Sequence, residues 1–519
     1  MTDAKYYDVI VIGSGLGGLT AAAELASCGK RVLVLEQHTR VGGCATAFPR
    51  GDFTFEAGLH MTAMMDEDSD QYAFFKKCGL LEKLRFIPVP EFYYVKVRDI
   101  DFVFGKDIED NKRRLKHMFP DEVRGIDKYF NTVFRIHEQA MKLAPRKGLR
   151  RLLSLLAAPV LYPTVFFSIF RRLGPFMDRI IRDERLKTIL IANIGYYGDD
   201  PYALSFLFYA IAQAGYYRQG GAYIQGGSHR LPDALADYVK KRGGEIRTSV
   251  LATKILTTEG KVAGVACRPA GKKGASAESG TFNAPVVIAN AAMPAVAEEL
   301  LDPETAAPLK KKIRNMTPGP SIFTLYLATD KPLREMGNAY YSGNYYDSRD
   351  FSLKDMAEYH ASDFDRRPFI LCDYSQIDSR LAPEGSGYAV LSMIDHYGDW
   401  EGLPEEAYRR KKERAVKLLM ERMYGMFPGL RDHVLRVEAA TARTLKDYIR
   451  TPEGTAYGFA QRPDQAILFR PGVRSPVGGL YFASAWTLPG GGFGGAMNSG
   501  QMCAAAVKED LGIALEKSG

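Results

Sequence analysis

The 519-residue chain is poor in several features, and each shortage excludes a class of protein. Cysteine is sparse: six residues, at 28, 44, 78, 267, 372 and 503, with no C-x-x-C pair and no Cys/His cluster at metal-ligand spacing. A disulfide framework is not expected in such a chain, and a reducing compartment fits better. The eight histidines form no ligand set, so no metal is expected. Charge of one sign is also lacking, because 69 Lys and Arg against 61 Asp and Glu leave a scattered +8. Nucleic-acid binders concentrate positive charge on one face, so no nucleic-acid partner is expected. The first residues lack a secretory pattern: residues 1–5 are polar, and Tyr6 already opens a strand-like run. A cytoplasmic location is the expectation. What remains is ordinary globular composition, 46% hydrophobic and 25% charged, in a chain long enough for at least two domains.

Residues 6–12 form an apolar, β-branched run suited to a buried parallel strand. It leads into Gly13-Ser14-Gly15-Leu16-Gly17-Gly18, a helical stretch from Leu19 to Ser27, and a second strand over 31–35 that ends on Glu36. This is a G-x-G-x-x-G strand–turn–helix unit. Gly13 permits the tight turn, Gly15 lets backbone approach a pyrophosphate, and Gly18 allows close packing of helix on strand. Glu36 is placed to accept ribose hydroxyls. A second glycine turn at Gly42-Gly43 suits a dinucleotide that extends further along the protein than a nicotinamide cofactor would.

The stretch from Val34-Leu35-Glu36-Gln37-His38 through Gly42-Gly43-Cys44, followed by Phe53, Phe55-Glu56 and Gly58-Leu59-His60, resembles the phytoene desaturase, carotenoid isomerase and retinol saturase family of flavoproteins. The Glu-Gln-His and Gly-Leu-His segments are most similar to the saturase branch. The resemblance implies FAD, with Glu36 on the adenosine ribose, the Gly42-Gly43 loop beside the diphosphate, and Gln37 and His38 at the nucleotide edge. It further implies an α/β fold: a Rossmann-like FAD-binding domain, glutathione-reductase/amine-oxidase-like, with an inserted α+β substrate domain.

Two later blocks extend the pattern. Gln225-Gly226-Gly227-Ser228 precedes an amphipathic helix; the strand after it carries Val250, whose backbone the resemblance places against the adenine. Near the end, residues 479–485 form a strand, and Gly490 to Gly495 a glycine turn that opens a helix. That turn also reads G-x-G-x-x-G, but only 12 residues follow Val507, too few for a second nucleotide domain. Gly492, Phe493, Gly494 and Gly495 are therefore assigned to the same FAD, and the resemblance sets this helix N-terminus at the flavin pyrimidine. The FAD-binding domain is expected to be discontinuous, over 1–75, 222–300 and 472–519, with 76–221 and 301–471 as the substrate domain.

One apolar run stands out: residues 152–170 carry no charge. Its length approaches that of a membrane span, but Pro159 and Pro163 interrupt it. Within 145–172 it is read as a lid or a membrane-surface element rather than a spanning helix. Aromatic residues at 196, 197, 206, 208, 209, 216, 217 and 223, and tyrosines at 340, 341, 345 and 346, either line a channel or pack a core. His60, next to the flavin loop, is the candidate proton donor, with a packing role as the alternative. The reading is an FAD oxidoreductase acting on C–C or C=C bonds of a long polyene or isoprenoid lipid, with saturation favoured over desaturation or isomerisation. NAD(P)H or a separate donor would supply its electrons. A flavin amine oxidase and a flavin-free isoprenoid carrier are the alternatives. Gln225 stands where the carotenoid desaturases carry arginine, which weakens the desaturase reading.

Overall fold

A computed structural model describes residues 6–63, 67–143, 157–271, 279–346 and 351–513. Residues 152–156 of the apolar run lie outside the described residues.

Strands Val9–Ile12, Val32–Leu35 and Val286–Ala289 are buried at every position, as a sheet covered on both faces requires. They pair in parallel, with Glu245–Arg247 and Leu480–Phe482 at the two edges. Each buried Val, Leu or Ile contributes about 1.5–3 kcal/mol, so these short strands hold despite their length. Helices Leu16–Ala26, Arg230–Lys241 and Phe493–Asp510 pack together on one face. A three-stranded antiparallel sheet, Val250–Thr258, Lys261–Pro269 and Gly280–Asn283, shares the core on the other. The first helix begins at Leu16 rather than Leu19, and the last spans Phe493–Asp510, so each glycine turn runs directly into its helix.

A second, seven-stranded sheet has the order Val434–Ala440, Ser321–Thr329, Gly387–Asp395, Phe369–Asp373, Ser342–Tyr346, Tyr93–Val97, Ile100–Phe104. It is antiparallel except where Ser342–Tyr346 meets Tyr93–Val97. One helical layer (Val123–Leu143, Leu173–Ile180, Glu184–Leu190 and Phe206–Gln219) shares an apolar core with the Tyr93 edge. Helix Glu405–Met426 packs against another part of the sheet. Thr324, Ser392, Ile370 and Asn344 form one cross-strand row on this sheet. Side chains in such a row share a face, with neighbouring strands about 4.8 Å apart.

Candidate active site

One cavity of about 1160 Å³ runs from the glycine turns to the face of the second sheet. Its wall includes Gly13, Ser14, Gly15, Gly17, Glu36, Gln37, His38, Gly42, Gly43, His60, Val250, Gly492, Phe493, Gly494 and Gly495. Thus the structure brings together residues from both ends of the chain. Gly18 is not in the wall: a Cβ there would stand 2.5 Å from the Gly13 carbonyl oxygen, so its smallness serves the packing behind the turn.

At the first turn, Gly15 caps helix Leu16–Ala26 with no side-chain hydrogen bond, leaving first-turn N–H groups for a ligand. A Cβ on Gly15 would meet Asn290 Oδ1 at 2.5 Å, so a side chain here would collide with the neighbouring strand's end. Glu36 is buried and held from both sides. One oxygen accepts from Ser14 N at 2.9 Å and Ser14 Oγ at 2.5 Å, the other from His38 N at 2.8 Å. The second oxygen keeps acceptor capacity for a ribose hydroxyl. Val250 N donates to the Glu36 carbonyl at 2.8 Å, which fixes the strand Val250–Thr258 against the acid. His38 stacks on Tyr448 with ring centroids 4.0 Å apart, and its Nε2 lies 2.7 Å from the Tyr448 carbonyl oxygen. Gln37 Nε2 donates to that same oxygen at 3.2 Å. Both residues border the cavity while tying it to helix Ala442–Ile449.

The turn carrying His60 is held by Glu56, a fully buried carboxylate. Glu56 accepts from Tyr223 hydroxyl at 2.8 Å, Ser228 N at 2.8 Å, Ser228 Oγ at 2.6 Å, Leu59 N at 3.2 Å and Gly58 N at 3.3 Å. The Gly226-Gly227-Ser228 motif therefore serves the site at one remove, through this carboxylate. Gln225 lies away from the cavity, donating to Asp378 Oδ2 at 2.6 Å. The turn is also clamped by Tyr374, which donates to the Leu59 carbonyl at 2.6 Å, and by Tyr341, which donates to that of His60.

His60 itself is buried, with Nδ1 2.7 Å from the Tyr196 hydroxyl and Nε2 3.2 Å from Ser392 Oγ. Burial pushes its pKa from 6.5 down to about 4, so the imidazole is neutral at neutral pH. A neutral ring has one donor and one acceptor nitrogen, which makes Tyr196–His60–Ser392 a directed hydrogen-bonded chain. Burial raises the Tyr196 phenol well above its usual range, so it keeps its proton.

Tyr196 is positioned by capping of a buried helix end. The last carbonyls of helix Glu184–Leu190 accept from tyrosines: Ile189 from Tyr93 at 2.9 Å, Leu190 from Tyr129 at 3.0 Å and Tyr209 at 3.2 Å. Tyr346 donates to the Ala192 carbonyl at 2.6 Å. The aromatic set therefore divides. Tyr196, Tyr197, Phe208, Tyr216 and Tyr346 border the cavity, whereas Phe206 stacks on Phe176 and Tyr345 on Phe369 within the core. Sequence reading missed Tyr448, Ser392, Asn290 and Glu56 as site-building residues. Asn290, following directly on a buried strand, and Glu56, two residues before Gly58, had local signals; Tyr448 and Ser392 reach the site through long-range packing.

The cradle fits a flavin dinucleotide: it has uncapped helix N-termini at two glycine turns, an acid at the second strand's end, and no room for side chains at Gly15. Among the described residues, no group of three or more His, Cys, Asp or Glu could hold a metal ion.

The family model for flavin containing amine oxidoreductase matches residues 16–508. The chain is similar to prolycopene isomerase 1, chloroplastic, of Oncidium hybrid cultivar, 26% identical over 98% of this chain and 85% of that protein. It is likewise similar to all-trans-retinol 13,14-reductase of Homo sapiens, 27% identical over 96% of this chain and 85% of the relative. The fold is similar to that of an oxidoreductase from Methanosarcina mazei, with TM-score 0.62, 20% identity and coverage of 97% and 100% of the two chains. The chain belongs to the flavin-containing amine oxidoreductase family and is an FAD-dependent oxidoreductase.

Proposed function

We propose that the enzyme acts on C–C or C=C bonds of a long apolar polyene or isoprenoid lipid, with saturation favoured over desaturation and cis–trans isomerisation. The observation that carries this reading is the continuity of one cavity from the nucleotide turns, past His60, into a chamber walled by Tyr196, Tyr197, Phe208, Ile211, Tyr346 and Ile370. These six side chains offer an extended hydrocarbon apolar contact and include no carboxylate, the carboxylates of the cavity wall being Glu36, Glu299 and Glu438, which favours a polyene over an amine substrate in this chamber. When bound, FAD supplies the two-electron chemistry. The chain's own residues orient the lipid, exclude water, and hold a proton at Tyr196 Oη and His60. A prolycopene isomerase and a retinol reductase among the relatives agree with a polyene substrate. Electrons for saturation would come from NAD(P)H acting directly on the flavin or from a separate donor, since the described residues build a single parallel sheet for one dinucleotide.

A peripheral membrane contact belongs to the same proposal. Among the described residues no helix is long and apolar enough to cross a membrane. Within the apolar run, short helices Ala158–Leu161 and Pro163–Phe166 leave Val160 83%, Phe167 60% and Phe170 71% exposed. Phe170 packs against the exposed Phe469 at 5.6 Å, and Ile467, two residues away in sequence, lines the cavity. Exposed Arg171 and Arg172 flank the patch, as at an interfacial element on an anionic surface. This patch would admit a lipid from the bilayer.

Anaerobic single turnover tests the reading. The protein loaded with FAD and reduced with dithionite is mixed with a polyene alcohol or a carotene, and the flavin and polyene bands are followed together. Flavin reoxidation with a blue-shifted polyene is the expected result for saturation. Isomer exchange without net electron transfer, or a red shift from oxidised flavin, would replace saturation by the other two chemistries. Inertness of every polyene alongside rapid flavin reduction by an amine would overturn the proposal.

A further inference from the structure

Four cationic side chains are buried among the described residues, and three of them hold carboxylates. Arg367 contacts Asp395 at 3.2 Å and Asp399 at 2.8 Å, Lys187 contacts Asp178 and Glu184 at 2.6 Å, and Lys508 contacts Glu24 at 2.7 Å. The fourth, Arg470, is 4% exposed and bonds only to main-chain carbonyls. Its Nε donates to Thr487 at 3.1 Å, and its two Nη groups to Phe459 at 3.0 Å, Ala485 at 2.7 Å and Tyr457 at 3.4 Å. These carbonyls satisfy the N–H groups but carry only partial charge, and a buried full charge is normally compensated by an ion. Burial pushes the guanidinium down to about 9, which leaves it protonated at neutral pH.

The position of this charge is informative. Its Cζ lies 3.5 Å from where a Cβ on Gly490 would stand, directly behind the C-terminal glycine turn. Tyr457 and Ala485, two of its carbonyl partners, line the cavity together with Gly491 and Gly492. Helix Phe493–Asp510 starts at this corner with no side-chain cap, adding the positive end of its dipole. Two sources of positive potential thus converge on one part of the cavity wall, and the described residues hold no carboxylate in ion-pair contact with Arg470.

We propose that Arg470 is the electrostatic partner of the reduced flavin. Two electrons and one proton entering the flavin leave one net negative charge on its pyrimidine ring, and the guanidinium behind Gly490 stabilises that charge through the turn. The charge would raise the reduction potential and favour electron uptake. This inference rests on the flavin reading of the site.

The test uses the full chain loaded with FAD, with the midpoint potential measured by dye equilibration beside thermal stability. Gln461 provides a variant that leaves the arginine's carbonyl contacts intact. Its Nε2 borders the same point beside Gly490, at 2.4 Å, and its Oε1 has no hydrogen-bond partner among the described residues. Gln461→Glu would neutralise the charge in place. Arg470→Gln and Gln461→Glu are both expected to lower the potential, with the preference for the reduced form falling about tenfold, or about 30 mV for a two-electron couple. Arg470→Lys keeps the charge, so it should retain most of the potential even where lost carbonyl contacts lower its thermal stability. Unchanged potentials in both Arg470→Gln and Gln461→Glu, with FAD bound, would reduce Arg470 to a carbonyl clamp and overturn the proposal. Should Arg470→Gln not fold, an unchanged potential in Gln461→Glu overturns it alone. Failure of the wild-type chain to bind FAD would instead remove the flavin reading beneath it.

Discussion

At the nucleotide end of the cavity, Gly13–Gly17 and Gly491–Gly495 present main-chain groups and helix N-termini, with the Glu36 carboxylate held beside the first turn. At the lipid end the wall is made of side chains: His60 on a turn, Tyr196 beyond a helix end, and Ser392 and Asn344 on different strands of the second sheet. The first end recognises a ligand common to a large family, and backbone geometry suffices for that. Under the proposed function the second would hold a lipid, and its contacts come from side chains carried on separate elements. The two ends meet at residues 56–60, where one carboxylate fixes the angle between them.

The strongest way to break this division is to remove that carboxylate. Glu56→Ala leaves buried N–H and O–H donors from Ser228, Gly58, Leu59 and Tyr223 unsatisfied, and should cost about 4 kcal/mol in urea denaturation. A loss below 1 kcal/mol would show that the two ends do not depend on this joint.

A pH titration examines the lipid end alone. His60 has a folded pKa of about 4 against 6.5 in the free residue, so between those values the unfolded chain binds the extra proton. Stability is therefore full above about pH 6.5 and falls as the pH drops towards 4, by about 3 kcal/mol at most from this residue. His360, also buried and lowered to about 4, acts in the same direction. Denaturation curves of His60→Gln should show a shallower fall over that window. An identical slope would mean that His60 is hydrated and the lipid end is wetter than its walls imply.

Gly15→Ala probes the nucleotide end. Its Cβ would meet Asn290 Oδ1 at 2.5 Å, and displacing the turn should weaken FAD binding by about 2 kcal/mol, or some thirtyfold. Flavin absorbance per protein after gel filtration measures it, and polyene binding should change little. Equal loss of both ligands would erase the distinction between the ends.

The smallest effect is expected at the mouth. Phe167→Ser with Phe170→Ser should shift stability by less than about 0.5 kcal/mol, because both side chains are mostly exposed. Co-sedimentation with anionic vesicles should fall several-fold, while unchanged binding would remove the membrane from the proposal.

The sequence alone determined the nucleotide end. Its turn, helix, strand and acid lie within residues 9–36, so each contact follows from local spacing that periodicity and glycine placement make legible. The second glycine turn was legible for the same reason. Tertiary structure alone decided the rest. It set Ser392 beside His60 across 332 positions and Tyr196 across 136, and it divided the tyrosines between helix-capping core and cavity wall. It also placed Arg470, among the described residues without a carboxylate partner, behind a turn that the sequence had assigned to FAD. A local motif encodes its own geometry because few backbone torsions separate its parts. A pocket wall drawn from many strands and several helices depends on how they pack, and no short stretch of sequence carries that packing.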